Sequence, residues 1–189
     1  AAYRKRNADG PNSEDKALDL FAEMMIEKIE SIRKDWRKPW FTEGALPWPR
    51  NLHGREYNGM NALMLLLHCE KQGYTIPRFC TFDCVRRLNT PGKDGQELPR
   101  VSILRGEKSF PVMLTTFTCI HKETKEKIRY EDYKKLSEKE QELYNVFPKM
   151  QVFRVFNVAQ TNLREARPEL WEKLEQEVTR PQIEDGEHL

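Results

Sequence analysis

The run Phe110-Pro-Val-Met-Leu-Thr-Thr-Phe-Thr-Cys-Ile120 decides the fold of this 189-residue chain. It is rich in Val, Thr, Phe and Ile, the side chains that suit a pleated, half-buried surface, and it predicts a strand. Val101 to Leu104 has the same character and is read as a second strand. Downstream, residues 121–127 suit a hairpin turn, and Ile128 to Tyr130 a short partner strand. Met150 to Val158 alternates Met150, Val152, Arg154 and Phe156 against Gln151, Phe153, Val155 and Asn157, which predicts another strand. Ser137 to Tyr144 reads as a short helix inside a charged insertion. Pro168 to Val178 reads as a final helix with proline near its start.

Upstream of that run the period changes. Ser13 suits an N-cap, and Glu14 and Asp15 suit the positive end of a helix dipole. Leu18, Phe21, Ala22, Met25, Ile29, Ile32 and Trp36 then recur at steps of three and four. They predict one apolar stripe on a helix of about 25 residues that ends at Pro39. A second helix starts at Asn58 or Gly59 and covers Met60 to Lys71. It is apolar nearly all round and is expected to be the buried central helix, closed by Gly73. Thr81 can cap a short helix from Phe82 to Leu88. Residues 39–58 and 89–98 are rich in Pro, Gly and Asn and read as loops.

Helices first and strands later predict an α+β fold, with N-terminal helices packed on a small antiparallel sheet and a C-terminal helix. Residues 1–12 are expected to be a disordered or appended tail, 13–165 the main domain, and 166–189 a C-terminal helix and linker.

Charged residues make up 33% of the chain and apolar ones 38%, a soluble and charge-rich composition. The longest apolar run is Ala62 to Leu67, far short of the roughly 20 residues that span a bilayer. The opening Ala-Ala-Tyr-Arg-Lys-Arg-Asn lacks a hydrophobic signal core, which predicts a cytoplasmic protein. The four cysteines show no Cys-x-x-Cys pair and read as reduced thiols. The four histidines show no His-Glu-x-x-His, so neither a metal nor a cofactor is expected. Net charge is only +2, but residues 31–110 hold 14 Lys and Arg against 8 Asp and Glu. Residues 121–189 hold 13 against 15, so a polyanion would favour the central part.

Trp36-Arg-Lys-Pro-Trp40, Leu46-Pro-Trp-Pro-Arg-Asn51 and Gly54-Arg-Glu-Tyr-Asn-Gly-Met-Asn61 crowd that central part. Flat rings in stiff loops flanked by cations form a surface on which bases stack and phosphates pair. Trp36, Trp40, Trp48 and Tyr57 are the candidate stacking rings, though each indole could equally seal a core. Lys38, Arg50, Arg55, Arg78, Arg105 and Lys108 are the candidate phosphate partners. Asn51, Asn61 and Gln160 are the candidate polar contacts. Arg105-Gly-Glu-Lys108 could also be an ordinary tight turn, and it lacks the spacing of a phosphate-cradling P-loop. No nucleophile and base stand together, so no catalytic residue is assigned.

These pieces in this order resemble the N-terminal domain of ArdC-type antirestriction proteins, which are carried on plasmids and mobile elements. The resemblance rests on Trp36 with Pro39-Trp40, Pro49-Arg50-Asn51, and Gly54-Arg55 through Tyr57-Asn58-Gly59-Met60-Asn61. It continues through Gly73-Tyr74, Pro77-Arg78-Phe79-Cys80-Thr81, Arg105-Gly-Glu-Lys108 and Val155-Phe156-Asn157-Val158-Ala159-Gln160. Phe79 and Cys84 stand where that family tends to show Trp and Gln, and the charged stretch 121–149 interrupts the sheet region. The resemblance implies a single-stranded-DNA-binding domain over residues 13–165. In the family a zincin-like metallopeptidase domain follows. This sequence carries no His-Glu-x-x-His, so DNA binding is carried over and peptidase activity is not. The alternatives are a module that binds a restriction or replication protein, or the recruiting half of a larger zinc metallopeptidase.

Overall fold

α1 (Ser13–Lys34) opens the chain in a computed structural model that describes residues 12–34, 46–92 and 95–179. The expected end of the first helix at Pro39, together with Trp36, Lys38 and Trp40, lies outside the described residues. Of the expected tail, only Asn12 lies inside them. α2 (Gly59–Gln72) and α3 (Phe82–Leu88) follow, with β1 (Arg50–Asn51) before α2 and β2 (Arg78–Thr81) between the two helices. The long strands are β3 (Phe110–His121) and β5 (Tyr144–Asn157). Between them come β4 (Lys127–Ile128), α4 (Tyr130–Tyr133) and α5 (Glu138–Gln141). A 3-10 turn (Val158–Gln160), α6 (Leu163–Ala166) and α7 (Pro168–Thr179) complete the described chain. The fold is α+β, and among the described residues five strands run in the order β1-β2-β5-β3-β4. β2 with β5 and β3 with β4 are antiparallel, whereas β1 joins β2 in parallel.

The chain divides into two units, Asp19–Pro111 with Arg154–Leu189, and Ala1–Leu18 with Val112–Phe153. The first is built on α2, where Ala62, Met64, Leu65, Leu67 and Cys69 are all buried, as its sequence predicts. Gly73 ends α2 with φ 71°, a left-handed backbone that glycine adopts without a Cβ clash, and its N–H caps the Cys69 carbonyl. Thr81 Oγ1 accepts from the Cys84 N–H at 3.1 Å and starts α3 where expected. A second apolar cluster gathers Ile76, Cys80, Val85, Val101, Val158, Leu163, Ala166 and Leu174, with Trp171 packed against it. Burial pushes the Cys69 and Cys80 thiols up to about 12.

Three expectations are corrected. The inward stripe of α1 carries Phe21 and Met24, while Leu18 and Ile29 are exposed. Lys28 takes a place on the inner side, where its side chain is only 12% exposed and its ammonium pairs with Glu70 at 3.0 Å. Val101 to Leu104 is no strand. Val101 exchanges both its backbone bonds with the Asn89 side chain, at 2.7 and 2.8 Å, and only Ile103 makes an isolated bridge, to Thr161. The helix expected over Ser137 to Tyr144 shrinks to α5, whose capping box joins Ser137 and Glu140, because β5 begins already at Tyr144.

In the other unit the charged insertion hangs on β3 and β5. His121 N–H donates to the Glu126 carbonyl and Lys122 N–H to the Leu143 carbonyl, both at 2.8 Å. Phe117 stacks on Tyr130 with ring centres 4.5 Å apart, and Tyr130 on Tyr133 at 6.0 Å.

Candidate nucleic-acid interface

Residues Arg50 to Glu56 form a tight hairpin closed by an antiparallel bridge between its ends. Asn51 organises it. Its side-chain oxygen accepts from the His53 and Arg55 N–H groups at 3.0 and 2.9 Å, an Asx turn. Its carbonyl accepts from Gly54 N–H at 3.0 Å. Gly54 sits at φ 91°, a backbone that the turn needs and that other residues adopt only under strain. Arg50 pairs with Glu56 across the hairpin at 2.7 Å, and its N–H donates to the Pro77 carbonyl at 3.1 Å.

Trp48 is tied to Tyr57, the residue that follows this hairpin. Its indole N–H donates to the Tyr57 carbonyl, while Tyr57 N–H donates to the Pro49 carbonyl at 3.0 Å. One edge of the ring is thereby fixed, and the residue is still 47% exposed. Tyr57 itself meets Phe79 edge-on, with ring centres 6.2 Å apart. Burial, with smaller contributions from Cys80 and Cys84, pushes its phenol up to about 12.

A pocket of about 470 Å³ lies beside the indole, lined by Pro47, Trp48, Arg50, Glu56, Pro77, Arg78, Leu174, Glu177 and Val178. Prolines and aliphatic chains form its apolar walls, and two guanidinium–carboxylate pairs supply its charge. The Arg78 side chain is only 12% exposed. One of its nitrogens donates to the Asn51 carbonyl at 3.0 Å, and another pairs with the Glu177 carboxylate of α7. Arg78 therefore ties the hairpin to the C-terminal helix.

Of the residues that the sequence nominates, Trp48, Arg50 and Arg78 share this pocket, with Asn51 bracing it. Arg55 is exposed on the hairpin. Arg105 and Lys108 are exposed in a turn in which Glu107 N–H donates to the Leu104 carbonyl at 3.3 Å, with Gly106 at φ 84°. They do not line the pocket. Asn61 is 8% exposed on α2, and Gln160 is 3% exposed. The Gln160 amide donates to Glu107 and to the Lys108 carbonyl, at 3.0 and 2.8 Å, and accepts from Asn157 N–H at 2.9 Å. That side chain holds the 105–108 turn in place from below.

Glu56 and Glu177 pair with the two arginines of the pocket, and the sequence did not nominate them. The only signal for Glu177 was the acidic character of residues 168–189, which carry seven Asp and Glu against two Lys and Arg. His53 Nε2 and Cys84 Sγ meet at 3.8 Å, and burial raises the Cys84 thiol, which keeps it protonated. Among the described residues no group of three His, Cys, Asp or Glu side chains could hold a metal ion. Nor is any described helix long and apolar enough to cross a membrane.

A search of curated proteins found no match. Two crystal structures of the antirestriction ArdC protein from plasmid R388 are similar. The metal-free one is 22% identical with a TM-score of 0.45, and the Mn(II)-bound one 24% identical with a TM-score of 0.42. Each alignment covers 76% of this chain but only 42% and 40% of the respective ArdC chain, so this chain matches about two fifths of that protein's length. The family model for the N-terminal domain of anti-restriction factor ArdC matches residues 15–156, which spans the hairpin, β3 and all but the last residue of β5, while α7 lies beyond the match. The chain belongs to this family of ArdC N-terminal domains.

Proposed function

We propose that this domain binds single-stranded DNA with little sequence preference, in the service of an antirestriction protein. The observation that carries the reading is the half-exposed Trp48 ring in one pocket with the Arg50 and Arg78 guanidiniums. A base stacks on the indole between Pro47 and Pro77, and the adjoining phosphate meets the guanidiniums. Every base has a π-face, so such a platform tolerates sequence, whereas a duplex keeps its bases stacked inside. Arg55, Arg105 and Lys108 supply further exposed cations for the strand, and Trp36, Lys38 and Trp40 belong to the same proposal. Tyr57, Asn51 and Gln160 act by holding the loops that carry those contacts, and Asn61 acts from α2.

Anisotropy titration of a labelled oligonucleotide, single-stranded and duplex, at two salt concentrations tests this. Single strands bind more tightly than duplex, and affinity falls steeply with salt as counterions are released. Equal affinity for the two forms would overturn it.

A further inference from the structure

Arg78 is the least exposed cation of the pocket, and it is already occupied by an anion. Glu177 reaches it from α7, one turn beyond the buried Leu174 that anchors that helix. The Glu177 side chain is 39% exposed, so a phosphate has room to approach from the solvent side. α7 carries four glutamates against one lysine. Leu174, Glu177 and Val178 of that helix line the pocket together with Trp48 and Arg50.

We propose that Glu177 is a built-in competitor for the nucleic-acid phosphate. Its carboxylate sits where the strand's charge is expected and sets the affinity of the pocket. This rests on the single-stranded-DNA reading above. A strand must break the Glu177–Arg78 pair before Arg78 can donate to a phosphate. Breaking it costs affinity, and it also leaves the Glu177 charge facing the incoming polyanion. The arrangement keeps Arg78 from being a bare buried cation in the unbound protein. It also makes α7 the place where binding is tuned.

The test is an anisotropy titration of a labelled oligothymidine against the wild-type chain, Glu177→Gln, Arg78→Ala, the double variant and Glu172→Gln. Glu172 is exposed on the same helix, does not line the pocket and controls for net charge. Glu177→Gln is expected to tighten binding about three- to five-fold. The gain should vanish when Arg78 is already alanine, and Glu172→Gln should bind like wild type. Thermal melts confirm that each variant is folded, and Glu177→Asp, whose shorter arm keeps the charge but retracts it, provides a second variant with intermediate affinity.

If Arg78→Ala weakens binding but Glu177→Gln does not tighten it, the pocket is real and the competition is refuted. Equal gains from Glu172→Gln and Glu177→Gln refute it too, by reducing the effect to bulk charge. A wild-type chain that ignores single strands overturns the functional reading itself, and this proposal with it.

Discussion

The indole N–H of Trp48 is spent on the main-chain carbonyl of Tyr57, and that single bond orients the exposed ring. Trp48 therefore offers a face to a ligand while its polar edge is satisfied by the protein. Trp48→Ala is expected to weaken single-strand binding by about 1–3 kcal/mol. Trp48→Phe keeps a ring but loses the tether, and should fall between the two. A Trp48→Ala variant that binds as tightly as wild type would remove the ring from the site.

The Asx turn predicts a structural route to the same loss. Asn51→Ala leaves the His53 and Arg55 N–H groups without their partner and should cost about 1–2 kcal/mol of stability. Gly54→Ala forces a Cβ into a left-handed backbone and should cost about 1–2 kcal/mol. Urea unfolding measures both. Each variant should also lower affinity, since Arg50 is aimed by the same hairpin. Unchanged midpoints would show that the hairpin is not held as described.

Gln160 gives a prediction on stability first and on binding through it. Gln160→Leu keeps the volume and removes three hydrogen bonds, leaving the Asn157 N–H and the Lys108 carbonyl without this partner. A cost of about 2–3 kcal/mol is expected in urea unfolding. The 105–108 turn should then be cut faster by protease, and single-strand affinity should fall, because that turn carries Arg105 and Lys108.

His68 makes stability depend on acid. Its ring stacks on Phe110 at 4.2 Å and meets Tyr74 edge-on, and its Nε2 is buried without a hydrogen-bond partner among the described residues. Burial, aided by Lys71, lowers its pKa from 6.5 to about 4. The folded state thus prefers the neutral ring. Its contribution is complete above about pH 6.5 and is lost as pH falls towards 4. His68→Phe should stack on Phe110 without the proton-binding site. Its melting temperature should fall less than that of wild type between pH 7 and pH 5. Parallel curves for the two proteins would rule His68 out as the source.

Much of the first unit was legible because its signals are local. The all-round apolar pattern of Met60 to Lys71, Gly73 behind it and Thr81 ahead of Phe82 each fix an element by near neighbours. α1 shows the limit. Two overlapping stripes satisfy its spacing, and only the packed helix reveals that Lys28 is turned inward by Glu70, 42 residues away. β1 has two residues and no pattern to read. Val101 to Leu104 reads as a strand because β-branched and aliphatic residues fill it, yet the partner of Val101 is the side chain of Asn89. The pocket was half legible. Trp48, Arg50 and Arg78 are conspicuous as ring and cations, but Arg78 meets Glu177 across 99 residues, and no local rule joins such a pair.

Cys69 and Cys80 are buried within the first unit, and their thiols are held far from ionisation. Alkylating reagents attack thiolates, so these two sulfurs react only when the surrounding structure opens. The unmodified protein therefore contains its own stopwatch for local unfolding. The rate at which iodoacetamide captures them, read by mass spectrometry with and without oligonucleotide, reports whether a bound strand slows the breathing of the helix and strand that carry them.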